Sequence, residues 1–426
     1  MNPAPAASVQ RHELLLFYTL LELSVIVLAG RLGGLLAQRM RQSPAVGEIV
    51  IGILLGPSLF GWVAPTAFHF VFLSAPPEPL QILSSLGLVL LMFQIGLQFE
   101  FGHLTERANR AAVVNVAIAC MLAPFALGLA LGYVAAPVLS PNADRLHSAL
   151  FVATAFSITA LPTLGRMMIE LEITRTALAV IAISAAAIND VIGWLLLALT
   201  SALTAGGFNG GGYGLRVALV AGYVLVSIFI VRPAVKSAIR RSNPQAGAMS
   251  GNLLAGLLVL VFLSAITTYQ LGIFAIFGGF MMGVILFDEV ELVRAWRERI
   301  GEFVNVFFLP IFFTYTGLRT SIGTLTTLQD WGWCGLVVAL ATLGKLGAAY
   351  LAARLSGRNH PEAASLGFMM NTRALMELVV VNVGFDLGVI SQQMFTMLVI
   401  MAIVSTVITI PALRRYLPRA GIALAA

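Results

Sequence analysis

The chain has 426 residues, of which 59% are hydrophobic and 10% charged, with a mean hydropathy of +0.94. Too little polar surface exists to cover a water-soluble globule, so the composition implies an integral membrane protein. The formal charge of +6 comes with no clustered basic face or aromatic-interleaved patch, which excludes a nucleic-acid partner.

Apolar stretches of about 20 residues can each cross ~30 Å of hydrocarbon as a helix. They recur near 14–36, 44–62, 80–98, 111–137, 147–169, 176–202, 214–232, 251–268, 271–287, 301–318, 332–353, 362–385 and 392–413. An all-α membrane fold of about thirteen spans is predicted. In the first two spans Glu22 and Glu48 read as packing or entrance residues. Gly47, Gly52, Gly56 and Pro57 predict a close helix contact with a kink. Gln94 in the third span has two open roles, facing an ion cavity or bonding between helices. Cys120 and Cys334 lie in or beside apolar spans and read as packing residues, with no disulfide or metal cluster implied.

The fifth span contains Thr154-Ala-Phe-Ser-Ile-Thr-Ala-Leu-Pro-Thr163. Pro162 has no N–H for the carbonyl of Ile158, so that carbonyl is freed at membrane depth. Ser157 and Thr159 beside it either join it as cation ligands or bond back to their own helix. In the sixth span Asn189 and Asp190 interrupt a run dominated by Ile, Ala, Val and Leu. An ionisable residue at that depth marks an ion or proton pathway by default, and Ala185, Ala186 and Ala187 let neighbouring backbones come close. Oxygen donors suit a hard monovalent cation. A bare carboxylate is disfavoured out of water, so a proton and a cation, Na⁺ or K⁺, compete for Asp190. With a single acidic group, one proton for one cation is the simplest exchange, and it is electroneutral. Asn189 ligates the cation or bonds the fifth span.

Further along, 205–214 reads as a flexible external connector and 288–302 as an amphipathic cytoplasmic one. Lys345 lies mid-span, where it either supports the site or snorkels toward the cytoplasm. Arg373 and Glu377 in the twelfth span are four apart and predict an ion pair across a helix interruption. The fifth and twelfth spans run in opposite directions, and discontinuous helices of opposite topology suggest inverted repeats with a transport site where the breaks meet.

Basic residues fall on alternate loops: Arg39 and Arg41; Arg107 and Arg110; Arg166 and Arg175; Arg232, Lys236, Arg240 and Arg241; Arg294, Arg297 and Arg299; Arg354 and Arg358; Arg414, Arg415 and Arg419. The others carry little beyond Arg145, Arg216 and Arg319. The first set is read as cytoplasmic, which places the N-terminus outside and the C-terminus inside. No cleavable signal is expected, nor a soluble regulatory domain: residues 1–426 read as one transmembrane domain.

The runs Ser157-Ile-Thr-Ala-Leu-Pro-Thr163, Ile183-Ser-Ala-Ala-Ala-Ile-Asn-Asp190, Leu309-Pro-Ile-Phe-Phe-Thr-Tyr-Thr-Gly-Leu-Arg-Thr320 and Leu366-Gly-Phe-Met-Met-Asn-Thr-Arg-Ala-Leu-Met-Glu-Leu378 resemble the monovalent cation/proton antiporters. So does Gln42-Ser-Pro-Ala-Val-Gly-Glu-Ile-Val-Ile-Gly-Ile-Leu-Leu-Gly-Pro57. The likeness is to the Kef-type branch and its plant cation/proton exchangers. It implies the sodium/proton antiporter-like fold, a homodimer, and an elevator-like displacement of a mobile core. By position Asp190 resembles the family's ion-binding aspartate. Asn189 stands where electrogenic members carry a second acid, and Lys345 resembles the base that pairs with that acid.

The reading is a secondary active antiporter of the plasma (inner) membrane, surrounded by lipid and serving pH homeostasis. It exchanges cytoplasmic Na⁺ or K⁺ for external protons, with no catalytic residues and no cofactor. A regulatory subunit stays open. The alternatives are a cation-gated or channel-like efflux protein and an organic-anion symporter of similar architecture.

Overall fold

The computed structural model describes residues 4–40, 42–97, 110–174, 176–206, 210–241, 251–271, 274–373 and 375–422. Hydrocarbon offers no water to unpaired N–H and C=O groups, so an apolar chain of this kind satisfies them within helices. Every regular element among the described residues is helical. The main ones are α1 (Ala4–Arg39), α2 (Pro44–Leu54), α3 (Glu78–Leu97), α4 (Arg110–Leu139), α5 (Arg145–Ser157), α6 (Leu161–Glu170), α7 (Ala177–Gly206), α8 (Gly210–Val226), α9 (Gly251–Gln270), α10 (Ala275–Leu286), α11 (Leu309–Arg319), α12 (Leu328–Leu355), α13 (His360–Met370), α14 (Leu375–Asp386) and α15 (Gln392–Tyr416). Apolar side chains such as Leu28, Leu32, Leu122, Phe229, Leu343 and Leu351 stand exposed on the outer helices. An apolar perimeter over a packed interior fits a bilayer as solvent.

Eight helices are long and apolar enough to cross a membrane alone, and up to ten if each of two bent pairs is one span. The remaining predicted stretches fall on α2, the pair α5 and α6, and α10. These are shorter pieces, so helix length by itself supports eight to ten of the thirteen expected crossings. The connector expected at 205–214 is also mostly helix: α7 runs to Gly206 and α8 starts at Gly210. The basic residues Arg41, Arg107 and Arg175 lie outside the described residues.

The helices pack in two groups. In one, α1, α2 and α11 lie together, α3 packs on α10 and α11, and α9 packs on α3 and α10. In the other, α4 packs on α5, α7 and α12; α13 and α14 pack on α7; and α15 packs on α12, α13 and α14. The groups meet where α2 and the turn Ile322–Thr324 touch α15.

The first group is held by backbone approach. A Cβ on Gly33 of α1 would stand 2.8 Å from the Gly47 carbonyl of α2, and one on Gly52 would stand 2.8 Å from Phe313 Cβ of α11. Gly56 and Gly317 likewise meet main chain to main chain. The predicted glycine contact is therefore present, and it joins α2 to two partners.

The connector at 288–302 folds as the helix Val290–Trp296 followed by a wide π-type turn at Arg297–Gly301. Its inner face buries Leu292, Ala295 and Trp296, with Trp296 edge-on to Phe93 at 4.6 Å. Asp288 before it accepts from Arg232 at 2.8 Å and Lys236 at 2.5 Å. Burial pushes the Asp288 carboxyl up, but these two cations outweigh it and hold the carboxyl below its ordinary value. The brace is thus complete at neutral pH and is lost only as acid protonates Asp288, below the free aspartate value near ~4.

Two glycine substitutions test this packing. Gly47→Val is expected to abolish the folded peak in detergent size-exclusion chromatography, since the obstruction is backbone. Gly222→Ala, with nothing within 4 Å of the added Cβ, should elute like the parent.

Candidate ion-binding site

Helix α7 carries Asn189 and Asp190 into the second group, where both are 0% exposed. Ala185 and Ala186 before them are also fully buried, and the absence of larger side chains lets α4 and α13 close in. One turn beyond Asn189, Gly193 leaves room for Ile158: a Cβ there would stand 2.7 Å from Ile158 Cγ1. The break between α5 and α6 thus rests on the α7 face that bears Asn189.

That break is wider than one freed carbonyl. Helix α5 stops at Ser157, Ile158 is extended, and Pro162 lies in the first turn of α6. The last carbonyls of a helix have no partner within it and carry the negative end of its dipole. Here two cations meet them. Arg373 donates from Nη1 to the Ala155 carbonyl at 2.9 Å and from Nη2 to the Phe156 carbonyl at 3.0 Å. Lys345 donates from Nζ to the Ser157 carbonyl. Arg373 also reaches the Ala341 carbonyl of α12 at 3.0 Å and pairs with Glu377 Oε2 at 3.3 Å, as predicted from their spacing.

The second break, between α13 and α14, crosses the first. The Ala160 N–H donates to the Thr372 carbonyl at 3.1 Å, and Thr159 Oγ1 donates to the Met370 carbonyl at 3.4 Å. Each interruption therefore supplies partners for backbone groups that the other leaves open.

The candidate side chains separate in this geometry. Lys345 is 0% exposed and committed to Ser157, which rules out snorkelling. The Ser157 hydroxyl bonds back to the Thr154 carbonyl at 2.9 Å, whereas that of Thr159 reaches across to α13. Gln94 donates to Asn305 at 3.3 Å, the interhelical alternative. Cys120 and Cys334 are buried and unbridged. Both Asp190 oxygens and both Asn189 amide atoms are buried without a hydrogen-bond partner among the described residues. Lys345 acts on Asp190 through space, yet no described Lys or Arg nitrogen forms an ion pair with it within 4.0 Å. The result is a buried carboxylate near a cation that is already bonded elsewhere. Among the described residues no group of three His, Cys, Asp or Glu side chains could hold a metal ion. The charged and polar run 371–373 was legible as membrane-buried, but the partners of Arg373 on α5 and α12 were not, since spacing along one helix does not reveal what crosses it.

Replacing Arg373 by Gln leaves three backbone carbonyls and Glu377 without their charged donor. Loss of one partner from a buried pair destabilises by about 3–5 kcal/mol. The variant is expected to melt well below the parent in detergent, and an unchanged melting temperature would refute this structural role.

A family-wide sequence profile described as "Sodium/hydrogen exchanger, transmembrane" matches residues 24–416. The chain is 38% identical over 407 residues to the Na(+)/H(+) antiporter NhaS4 of Synechocystis sp., covering 95% of this chain and 98% of that protein. It is 35% identical to Cation/H(+) antiporter 17 of Arabidopsis thaliana, covering 92% of this chain but 47% of the relative, about half its length. The fold matches a solved structure of the sodium proton antiporter MjNhaP1 from Methanocaldococcus jannaschii with a TM-score of 0.60 at 14% identity, over 93% of this chain and 96% of that one. The relatives are transporters by name, and the apolar helices make this a multi-pass membrane protein. The chain belongs to the sodium/hydrogen exchanger family, a family of monovalent cation:proton antiporters.

Proposed function

We propose that this chain exchanges a monovalent cation, Na⁺ or K⁺, for protons, with Asp190 as the shared site. The observation that carries the reading is the buried Asp190 carboxylate, whose oxygens accept no hydrogen bond from any described residue. A carboxylate in that setting needs a counter-charge, and a proton or a cation supplies it equally. The names of its relatives, Na⁺/H⁺, K⁺/H⁺ and cation/H⁺ antiporters, agree with this chemistry. Asn189 and the Ile158 carbonyl are the next ligands, with Thr159 and Ser157 bordering them. Lys345, Arg373 and Glu377 support the broken helices, and Gln94 braces α3.

Exchange is electroneutral in this proposal. The crossing holds two acids, Asp190 and Glu377, and two bases, Lys345 and Arg373, all fully or almost fully buried. Swapping one cation for one proton on Asp190 leaves the summed charge of these four side chains and the bound ion unchanged.

Alternating access is an elevator-like movement of the second helix group against the first. The contacts between groups support this, because each is made by at least one side chain: Gln392, Gln393 and Thr396 of α15 donate to the carbonyls of Arg319, Thr324 and Ser321. Arg319 at the end of α11 donates to Asn382 of α14 at 3.0 Å and pairs with Asp386. Its guanidinium lies 4.7 Å from the Phe385 ring and 5.1 Å from that of Tyr315. Trp194, one turn beyond Asp190, packs against Phe280 of α10 with the rings tilted and their centroids 5.3 Å apart. The Arg319 contact, at the end of α11, lies on the side read as external and closes it, with the N-terminus outside, the C-terminus in the cytoplasm and the protein a homodimer in the plasma membrane.

Proteoliposomes test the exchange. An imposed Na⁺ or K⁺ gradient should move protons at a rate independent of membrane potential, and Asp190→Asn should be folded but inactive. A cation current without proton movement would instead identify a channel. Lys345→Gln is expected to shift the pH profile or lower stability while keeping cation preference, and a clean switch of preference would contradict its supporting role.

A further inference from the structure

Two side chains in the second break have no role in the reading above. Asn371 and Thr372 are both 0% exposed. Neither amide atom of Asn371 nor the hydroxyl of Thr372 has a hydrogen-bond partner among the described residues. Their main chain is bonded: the Asn371 N–H donates to Gly367 at 3.1 Å, the Thr372 N–H to Met369 at 3.2 Å, and the Thr372 carbonyl accepts from Ala160. Each interrupted helix carries a threonine at its break, but the two differ. Thr159 spends its hydroxyl on the Met370 carbonyl, and Thr372 spends its hydroxyl on nothing among the described residues.

A packing role does not explain this pair. Valine and leucine would fill similar volumes without burying polar atoms that lack partners. Position supplies the explanation. The Ala160 bond sets Thr372 across from 158–160, and Ile158 in that segment rests on Gly193, one turn from Asn189. Helices α13 and α14 both pack on α7. Asn371, Thr372, Asn189 and Asp190 therefore border one crossing, and all four carry side-chain atoms without partners.

We propose that Asn371 Oδ1 and Thr372 Oγ1 are cation-contacting oxygens that complete, with Asp190, the coordination of the transported ion and set its preference between Na⁺ and K⁺. Amide and hydroxyl oxygens ligate without adding charge. One carboxylate among neutral oxygens balances a monovalent ion. A proton needs only the carboxylate, so these two residues act on the cation half of the cycle and not on the proton half.

The inference rests on the exchange reading, and one assay separates the two. Purified full-length protein in liposomes is titrated with Na⁺ and with K⁺ at fixed pH, then across pH at saturating cation. Thr372→Val keeps the β-branched shape and removes the oxygen, Thr372→Ser keeps the oxygen, and Asn371→Leu removes the amide. Thr372→Val and Asn371→Leu should raise the cation KM roughly tenfold, the scale of one lost polar contact, and change the Na⁺ to K⁺ ratio. Thr372→Ser should stay near the parent, and all three should keep the parent's pH profile at saturation. A KM within about twofold of the parent in Thr372→Val would overturn the assignment, as would a KM rise that serine fails to rescue. If Thr372→Val does not assemble, Thr372→Ala and Asn371→Leu decide by the same criterion. A parent protein that moves no protons would sink the exchange reading itself.

Discussion

Two buried cations on the last carbonyls of a broken helix hold this site together. A helix interrupted in hydrocarbon exposes backbone oxygens that water would otherwise satisfy. Arg373 takes those of Ala155 and Phe156, and Lys345 takes that of Ser157. Without them α5 would either continue through the bilayer, erasing the break, or leave unpaired carbonyls in a dry interior. Arg373 suits the larger share because its planar fork bonds several oxygens at once, on α5, on α12 and on Glu377.

The same bonds explain why Asp190 remains available. A buried base beside a buried acid would ordinarily lock into an ion pair, and such a pair is a structural element and not a binding site. Here both bases are engaged with carbonyl oxygens, so Asp190 feels Lys345 through space without being tied to it. Glu377 shows the opposite outcome. It sits four residues from Arg373 on one helix and pairs with it directly. Two carboxylates at one crossing thus differ in role because of which donors their helices bring within reach.

Rigidity and freedom are distributed to match. Within the first helix group, glycine contacts such as Gly33 with Gly47 and Gly56 with Gly317 bring backbones together with no side chains between them. Between the groups the contacts include Arg319 on the Phe385 ring, Trp194 against Phe280, and side chains of α15 on the carbonyls of Arg319, Ser321 and Thr324. Interfaces of that second kind can part and reform without distorting a backbone.

Much of this was legible in the linear chain. Mean hydropathy dictated the membrane, Pro162 and the run 371–373 marked the two interruptions, Asp190 stood out because charge is rare among apolar neighbours, and Arg373 with Glu377 followed from a four-residue spacing. These features are local, set by composition or by neighbours on one helix. What joins α5 to α12 and α13 was not legible. Lys345 on Ser157, Arg373 on Ala155 and Phe156, Gln94 on Asn305, and the unmet side chains of Asn371 and Thr372 all depend on which backbone groups lie opposite. Residues up to 218 positions apart meet there. Periodicity along one helix carries no record of the partner it faces, so only the packed bundle decided which polar groups are spent and which have no partner among the described residues.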